Sequence, residues 1–163
     1  MHFLRAMLVV AMALAVSGCA SKFKTYDGPE VTQVQVFKNS RKMYLMHHDQ
    51  VLRAFDIDLG FAPEGHKVAR GDGRTPEGVY TIDRRNPESQ FHLSVGIDYP
   101  RPVDVDVARA AGFDPGGDIF IHGESKSRIK RRDWTAGCIA VKNDEIEDVY
   151  AMVRDGTVVV INP

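Results

Sequence analysis

Cys138 sits in DWTAGCIAV, residues 133 to 141, between a glycine and an apolar run. A thiol in that setting can pack as a small hydrophobe, pair with another chain, or act as a nucleophile. Nucleophilic attack needs the thiolate, so it calls for a nearby base or a positive field. Histidine is the natural base near neutral pH, and two fit a strand context: His92 in FHLSVGI and His122 at the end of IFI, just before Gly123. Strand ends present side chains to clefts, which favours His122. His47 and His48 lie at a turn and His66 follows a Pro-Glu-Gly turn, so they are weaker candidates. Gly137 lets the backbone turn tightly beside the thiol, and amides in such a turn can face a developing oxyanion. KSRIKRRD, residues 126 to 133, adds five basic residues that could attract an anionic substrate.

Other chemistries lack their patterns. No H-E-x-x-H and no paired cysteines suggest a metal, and no G-x-S-x-G suggests a serine hydrolase. GDGRTPEG, residues 71 to 78, is turn chemistry without the Gly-Lys-Ser/Thr ending of a phosphate cradle. The 163 residues carry a net charge of −1, with 44% hydrophobic and 26% charged residues. That is a globular composition without the basic excess of a nucleic-acid binder.

The second cysteine has a different setting. MHFLRAMLVVAMALAVSGCA places Arg5 before an apolar stretch too short to span a bilayer, then small residues and Cys19. Val16-Ser17-Gly18-Cys19 resembles the lipobox of bacterial lipoproteins, which implies a signal peptide over residues 1–18 and a lipid on Cys19. Acylation would anchor the protein without spanning, and Ala20 after the cysteine points to the outer membrane facing the periplasm. Polar residues 19–30 read as a tether and residues 31–163 as one folded unit. With Cys19 acylated, Cys138 has no partner in its own chain, in a compartment that oxidises thiols.

The elements that must position these residues are mostly strands. Val34 and Val36 alternate with glutamines, and Phe55, Ile57 and Leu59 with aspartates. Further strands are expected at 41–46, 78–83, 91–97, 119–121 and 157–161, with turns at Asn39-Ser40 and His48-Asp49-Gln50. One helix is expected to be capped by Asp104 and to run through Ala111. A second starts with Asn143 as its cap, and its buried stripe is Ile146, Val149, Tyr150 and Val153. The expected fold is a mainly β barrel or sandwich with two short peripheral helices.

IFIHGES followed by DWTAGCIAV resembles the YkuD-type L,D-transpeptidases of the bacterial cell wall, and their YafK-like branch most. GDGRTPEGVYTI, FHLSVGIDYPRP and PGGDIFIHG carry the likeness over nearly the whole folded unit. The resemblance implies that Cys138 attacks peptidoglycan stem peptides at the L-centre of meso-diaminopimelate, releasing D-alanine and leaving a thioester. His122 would move the proton, the Gly123 carbonyl would orient its ring, and amides near Gly137 and Cys138 would hold the oxyanion. His92, Tyr99, Arg128 and Trp134 are candidate substrate contacts, and no cofactor is implied. Ala136 stands where many relatives carry histidine, and Ala140-Val141 replaces a polar or arginine-bearing stretch. The acceptor is therefore left open between a second stem, a protein lysine and water, the last making a hydrolase. A wall-binding lipoprotein with a vestigial site is a third reading.

Overall fold

The computed structural model describes residues 21–125 and 131–163. Eight strands form one sheet: β1 (Gln33–Phe37), β2 (Lys42–His47), β3 (Gln50–Asp56), β4 (Gly78–Asn86), β5 (Ser94–Ile97), β6 (Phe120–His122), β7 (Ile139–Ala140) and β8 (Val158–Asn162). Their order is β3-β2-β1-β8-β4-β5-β6-β7. Two neighbouring pairs run parallel, β1 with β8 and β6 with β7. Beyond β3 the chain curls back to the opposite edge, where Asp58 bridges Ala140 and Gly60 bridges Thr135. The result is the expected mainly β, barrel-like fold, with helices α1 (Pro102–Ala110) and α2 (Asn143–Met152). Among the described residues no helix is long and apolar enough to cross a membrane.

Alternation sets which face is dry. Val34, Val36, Met43, Leu45, Tyr80, Ile82, Val159 and Ile161 project into one core, joined by Ile146 and Val149 of α2. Burying a Val, Leu or Ile side chain contributes about 1.5–3 kcal/mol, so this row outweighs any single polar contact.

Both helices start earlier than the sequence expectation, α1 with its cap three residues before Asp104 and α2 with its cap one residue before Asn143. α1 starts at Pro102 after Arg101, whose backbone N–H is accepted by Asp104 at 2.9 Å; Asp104 is the third helical residue and not the cap. α2 is capped by extended Lys142, whose N–H goes to Glu145. Asn143 lies in the first turn because its Oδ1 serves another donor, the Glu124 N–H at 2.9 Å. The expected strand at 91–97 begins only at Ser94, since His92 takes a left-handed φ of 72° and turns the chain.

Residues 21–30, within the segment 19–30 expected to be a tether, lie docked along the domain. Lys24 pairs with Asp148 at 2.8 Å, Lys22 Nζ donates to the Pro87 carbonyl at 2.6 Å, and Phe23 packs on Tyr150. Cys19 and the leader lie outside the described residues.

Candidate active site

Register brings the thiol and the imidazole together. β6 and β7 pair Ile121 with Ile139 and His122 with Ala140. Paired residues share a face and successive ones alternate. Ile121 and Ile139 point into the core, so His122 and Ala140 point to the other face. Cys138, two residues before Ala140, joins them there. The thiol and the ring therefore come from neighbouring strands, one diagonal step apart, a separation of about 7–8 Å between such backbone positions.

His122 is held by one hydrogen bond and two aromatic rings. Its Nδ1 lies 2.7 Å from the Gly123 carbonyl. A carbonyl only accepts, so Nδ1 carries the proton and Nε2 keeps a free lone pair in the neutral ring. Phe91 stacks on the imidazole at 4.3 Å between centroids, and Trp134 meets it edge-on at 5.5 Å. Nε2 has no hydrogen-bond partner among the described residues. The residue is 2% exposed, and this burial pushes the imidazole below its ordinary pKa despite the Gly123 bond. His122 is thus a neutral base at neutral pH.

Gly123 is required sterically. A Cβ there would stand 2.6 Å from Asn143 Oδ1 and 2.7 Å from the Phe91 carbonyl. Its N–H donates to the Phe91 and Leu93 carbonyls, tying the 91–93 turn over the ring.

The half-buried Cys138 sulfur accepts from the Phe120 N–H at 3.4 Å and lies 3.5 Å from the Asp118 carbonyl. Burial pushes the thiol up, and the Asp118 charge adds to this; the Phe120 N–H, Lys67 and Arg84 pull the other way without reversing it. At rest the pair is neutral thiol and neutral imidazole, and no hydrogen bond joins them.

The loop before Cys138 is fixed by Thr135. Its hydroxyl donates to the Cys138 carbonyl at 2.7 Å and accepts the Gly137 N–H at 3.1 Å. The Gly137 amide is therefore spent, whereas the Cys138 N–H has no acceptor among the described residues and is the one open donor of the expected pair. Gly137 contributes space instead: at φ 137°, a Cβ would lie 2.7 Å from the Arg74 carbonyl. Residues 58–61 hold the loop's other side, with Thr135 N–H on Leu59 O and Phe61 N–H on Thr135 O. Asp133 anchors its start through Arg41 (Nε–Oδ1 2.9 Å, Nη2–Oδ2 2.8 Å) and the Leu59 N–H.

Of the three candidate substrate contacts among the described residues, Trp134 alone lies at this site, packed on His122. His92 points to α2, where Nε2 meets Glu147 at 2.8 Å. Tyr99 is a core residue, 3% exposed, with its hydroxyl on the Pro115 and Lys67 carbonyls, so it has no surface to offer a ligand. Arg128 lies outside the described residues. Sequence reasoning missed Phe91, whose role follows from the turn at His92, and the double use of the Thr135 hydroxyl. Among the described residues no group of three or more His, Cys, Asp or Glu side chains could hold a metal.

The family model described as the L,D-transpeptidase catalytic domain, YkuD, matches residues 32–161. The chain belongs to this family. The YkuD domain here is 28% identical over 131 residues to YafK of Escherichia coli K12, named as a candidate L,D-transpeptidase; the match covers 77% of this chain and 48% of that protein. Among solved structures it is similar to Pgp2 of Campylobacter jejuni, titled a helical cell shape determining protein (K307A mutant). That likeness has a TM-score of 0.62 at 24% identity and covers 88% of this chain and 51% of that one. An L,D-transpeptidase from Xylanimonas cellulosilytica aligns at TM-score 0.53 and 16% identity, over 84% and 63% of the two chains. At these identities the structures establish the fold. The chain spans about half the length of the curated relatives it matches.

Proposed function

We propose that this YkuD domain is a cysteine-dependent L,D-transpeptidase that acts on peptidoglycan stem peptides through a thioester. The observation that carries the reading is the shared face of Cys138 and His122, with a neutral imidazole whose Nε2 has no hydrogen-bond partner among the described residues. Proton transfer requires the sulfur to leave the Asp118 carbonyl and turn toward Nε2. The thiol proton passes to Nε2 as sulfur attacks the diaminopimelate carbonyl. The oxyanion forms against the open Cys138 N–H. Its collapse breaks the amide bond, Nε2 protonates the leaving amine, and D-alanine departs. An acceptor amine then attacks the thioester while Nε2 takes its proton, and the returned proton restores the thiol. The cycle as written needs no cofactor.

Hydrolysis is the second reading. Ala140 pairs with His122 and Ala136 is exposed beside the thiol. Neither can orient an acceptor amine, and water needs no such help. Incubation with tetrapeptide stems followed by mass spectrometry separates the two. Cross-linked stems plus free D-alanine mark the transferase, and shortened stems without cross-links mark the hydrolase. Unchanged stems would refute both. The proposed setting is the periplasm, with lipid on Cys19 tying the domain to the outer membrane.

A further inference from the structure

One row across the sheet runs from a cation to the thiol. β4 and β5 pair Arg84 with Gly96 after a bulge between Ile82 and Arg84, and β5 and β6 pair Gly96 with Phe120. Continuing the β6–β7 register one step places Cys138 opposite Phe120. Arg84, Gly96, Phe120 and Cys138 thus form a transverse row on the face that carries His122, and the row beside it, Arg85, Val95, Ile121 and Ile139, packs inward.

Gly96 is what lets the arginine lie along this row. A Cβ at 96 would stand 2.6 Å from Arg84 Cγ. With that space empty, the side chain crosses β5 and rests its guanidinium on the Phe120 ring, Cζ 4.5 Å from the centroid. Nη1 is engaged by Asp83 at 2.7 Å and the Ile97 carbonyl at 3.1 Å. Nε makes no hydrogen bond among the described residues, and Nη2 has only a 3.7 Å approach to Asp118. That carboxylate is 91% exposed and easily displaced. The arginine is 35% exposed, so a charged donor edge faces solvent.

The spacing suits one residue of substrate. Three strand separations of about 4.8 Å put the Arg84 and Cys138 backbones roughly 14 Å apart. The arginine stem covers about half of that. The remaining gap accommodates a scissile carbonyl at the sulfur and a carboxylate one residue further on, since one residue extends about 3.5 Å.

We propose that Arg84 binds the terminal carboxylate of the residue that leaves, D-alanine on the reading above, and so selects stems cut one residue from their C-terminus. This rests on the proposed function. Planar, two-pronged pairing with a carboxylate is what a guanidinium does best.

The test compares a tetrapeptide stem bearing a free terminal carboxylate with its terminal amide, for the wild type and Arg84→Gln. The wild type cleaves the acid with kcat/KM about 10- to 100-fold above the amide, the range of a charge-assisted hydrogen bond. In Arg84→Gln that ratio falls to about one, because only the acid loses rate. Equal losses on both substrates would make Arg84 a structural residue and overturn the proposal. Independently of turnover, D-alanine and D-alaninamide are titrated against Cys138→Ala and against Cys138→Ala combined with Arg84→Gln. Preference for D-alanine that disappears in the second protein supports the subsite. Absence of preference in the first overturns it, even if the stems react. Preference with no stem cleavage would sink the proposed reaction and leave the subsite standing.

Discussion

Replacing Thr135 by valine keeps the shape of the side chain and deletes one hydroxyl that does two jobs. In the wild type that oxygen donates to the Cys138 carbonyl at 2.7 Å and receives the Gly137 N–H at 3.1 Å. Thr135 is buried, so in Thr135→Val water does not replace the hydroxyl and both backbone groups lose their partner. Leaving a buried polar group unsatisfied costs about 1–3 kcal/mol. The Gly137 N–H is buried and the Cys138 carbonyl partly so, which puts the total near 2–3 kcal/mol. For a domain of this size each kcal/mol moves Tm by about 3–5 °C, so melting should fall by roughly 6–15 °C. The loop that carries the thiol also loses its brace, and labelling of Cys138 by iodoacetamide, read by peptide mapping, should change severalfold. Thr135→Ser keeps the hydroxyl and should melt within about 4 °C of the wild type, the shift expected from a loss near 1 kcal/mol. A valine variant with wild-type melting and labelling, or a serine variant as damaged as the valine, would refute the reasoning.

Because burial holds the Cys138 thiol up and the His122 ring down, alkylation of Cys138 should rise mainly above the free-thiol range near pH 8.5; a plateau from pH 6 upward would mean a resting thiolate–imidazolium pair. The lowered His122 pKa also means that the unfolded chain binds its proton first. Stability should therefore fall as pH drops below about 6.5, and His122→Gln should lack that loss in denaturant titrations at pH 7 and 5. Burial opposes ionisation of Asp72, but hydrogen bonds from the Ala69 N–H, the Lys67 ammonium and the Arg74 and Val68 N–H groups hold its carboxyl at about 2. That carboxylate contributes roughly 1–2 kcal/mol after solvent screening, present above pH 4 and lost towards pH 2; Asp72→Asn should lose it at every pH. Gly123→Ala meets Asn143 and Phe91 below 3 Å and should cost about 1–3 kcal/mol in denaturant unfolding while displacing the His122 ring.

The strands were legible because their alternation is a property of each segment alone: Val34 and Val36 point inward in β1 as the pattern requires. The stripe of α2 was legible for the same reason, with Ile146 and Val149 buried, Tyr150 partly buried, and Val153 buried at the cap just past the helix. Pairing between distant strands was not. The parallel contact of β1 with β8 and the closure of residues 58–60 onto β7 depend on the whole sheet. Cys138 and His122 could be named from residue type and setting, but their shared face needed the β6–β7 register. Phe91 was hidden behind a left-handed histidine, a conformation that propensity disfavours. Tyr99 looked available and is buried, because an aromatic beside a proline reads the same in a cleft and in a core.

The central claim is that the sulfur of Cys138 becomes acylated by a stem peptide with His122 as its base. Intact-protein mass spectrometry after rapid mixing with a tetrapeptide stem tests this most directly. The account predicts a hydroxylamine-sensitive adduct equal to the stem minus D-alanine, mapped to Cys138, absent in Cys138→Ala and formed far more slowly in His122→Gln. Turnover of the stem by Cys138→Ala at the wild-type rate, with no adduct on either protein, would contradict it.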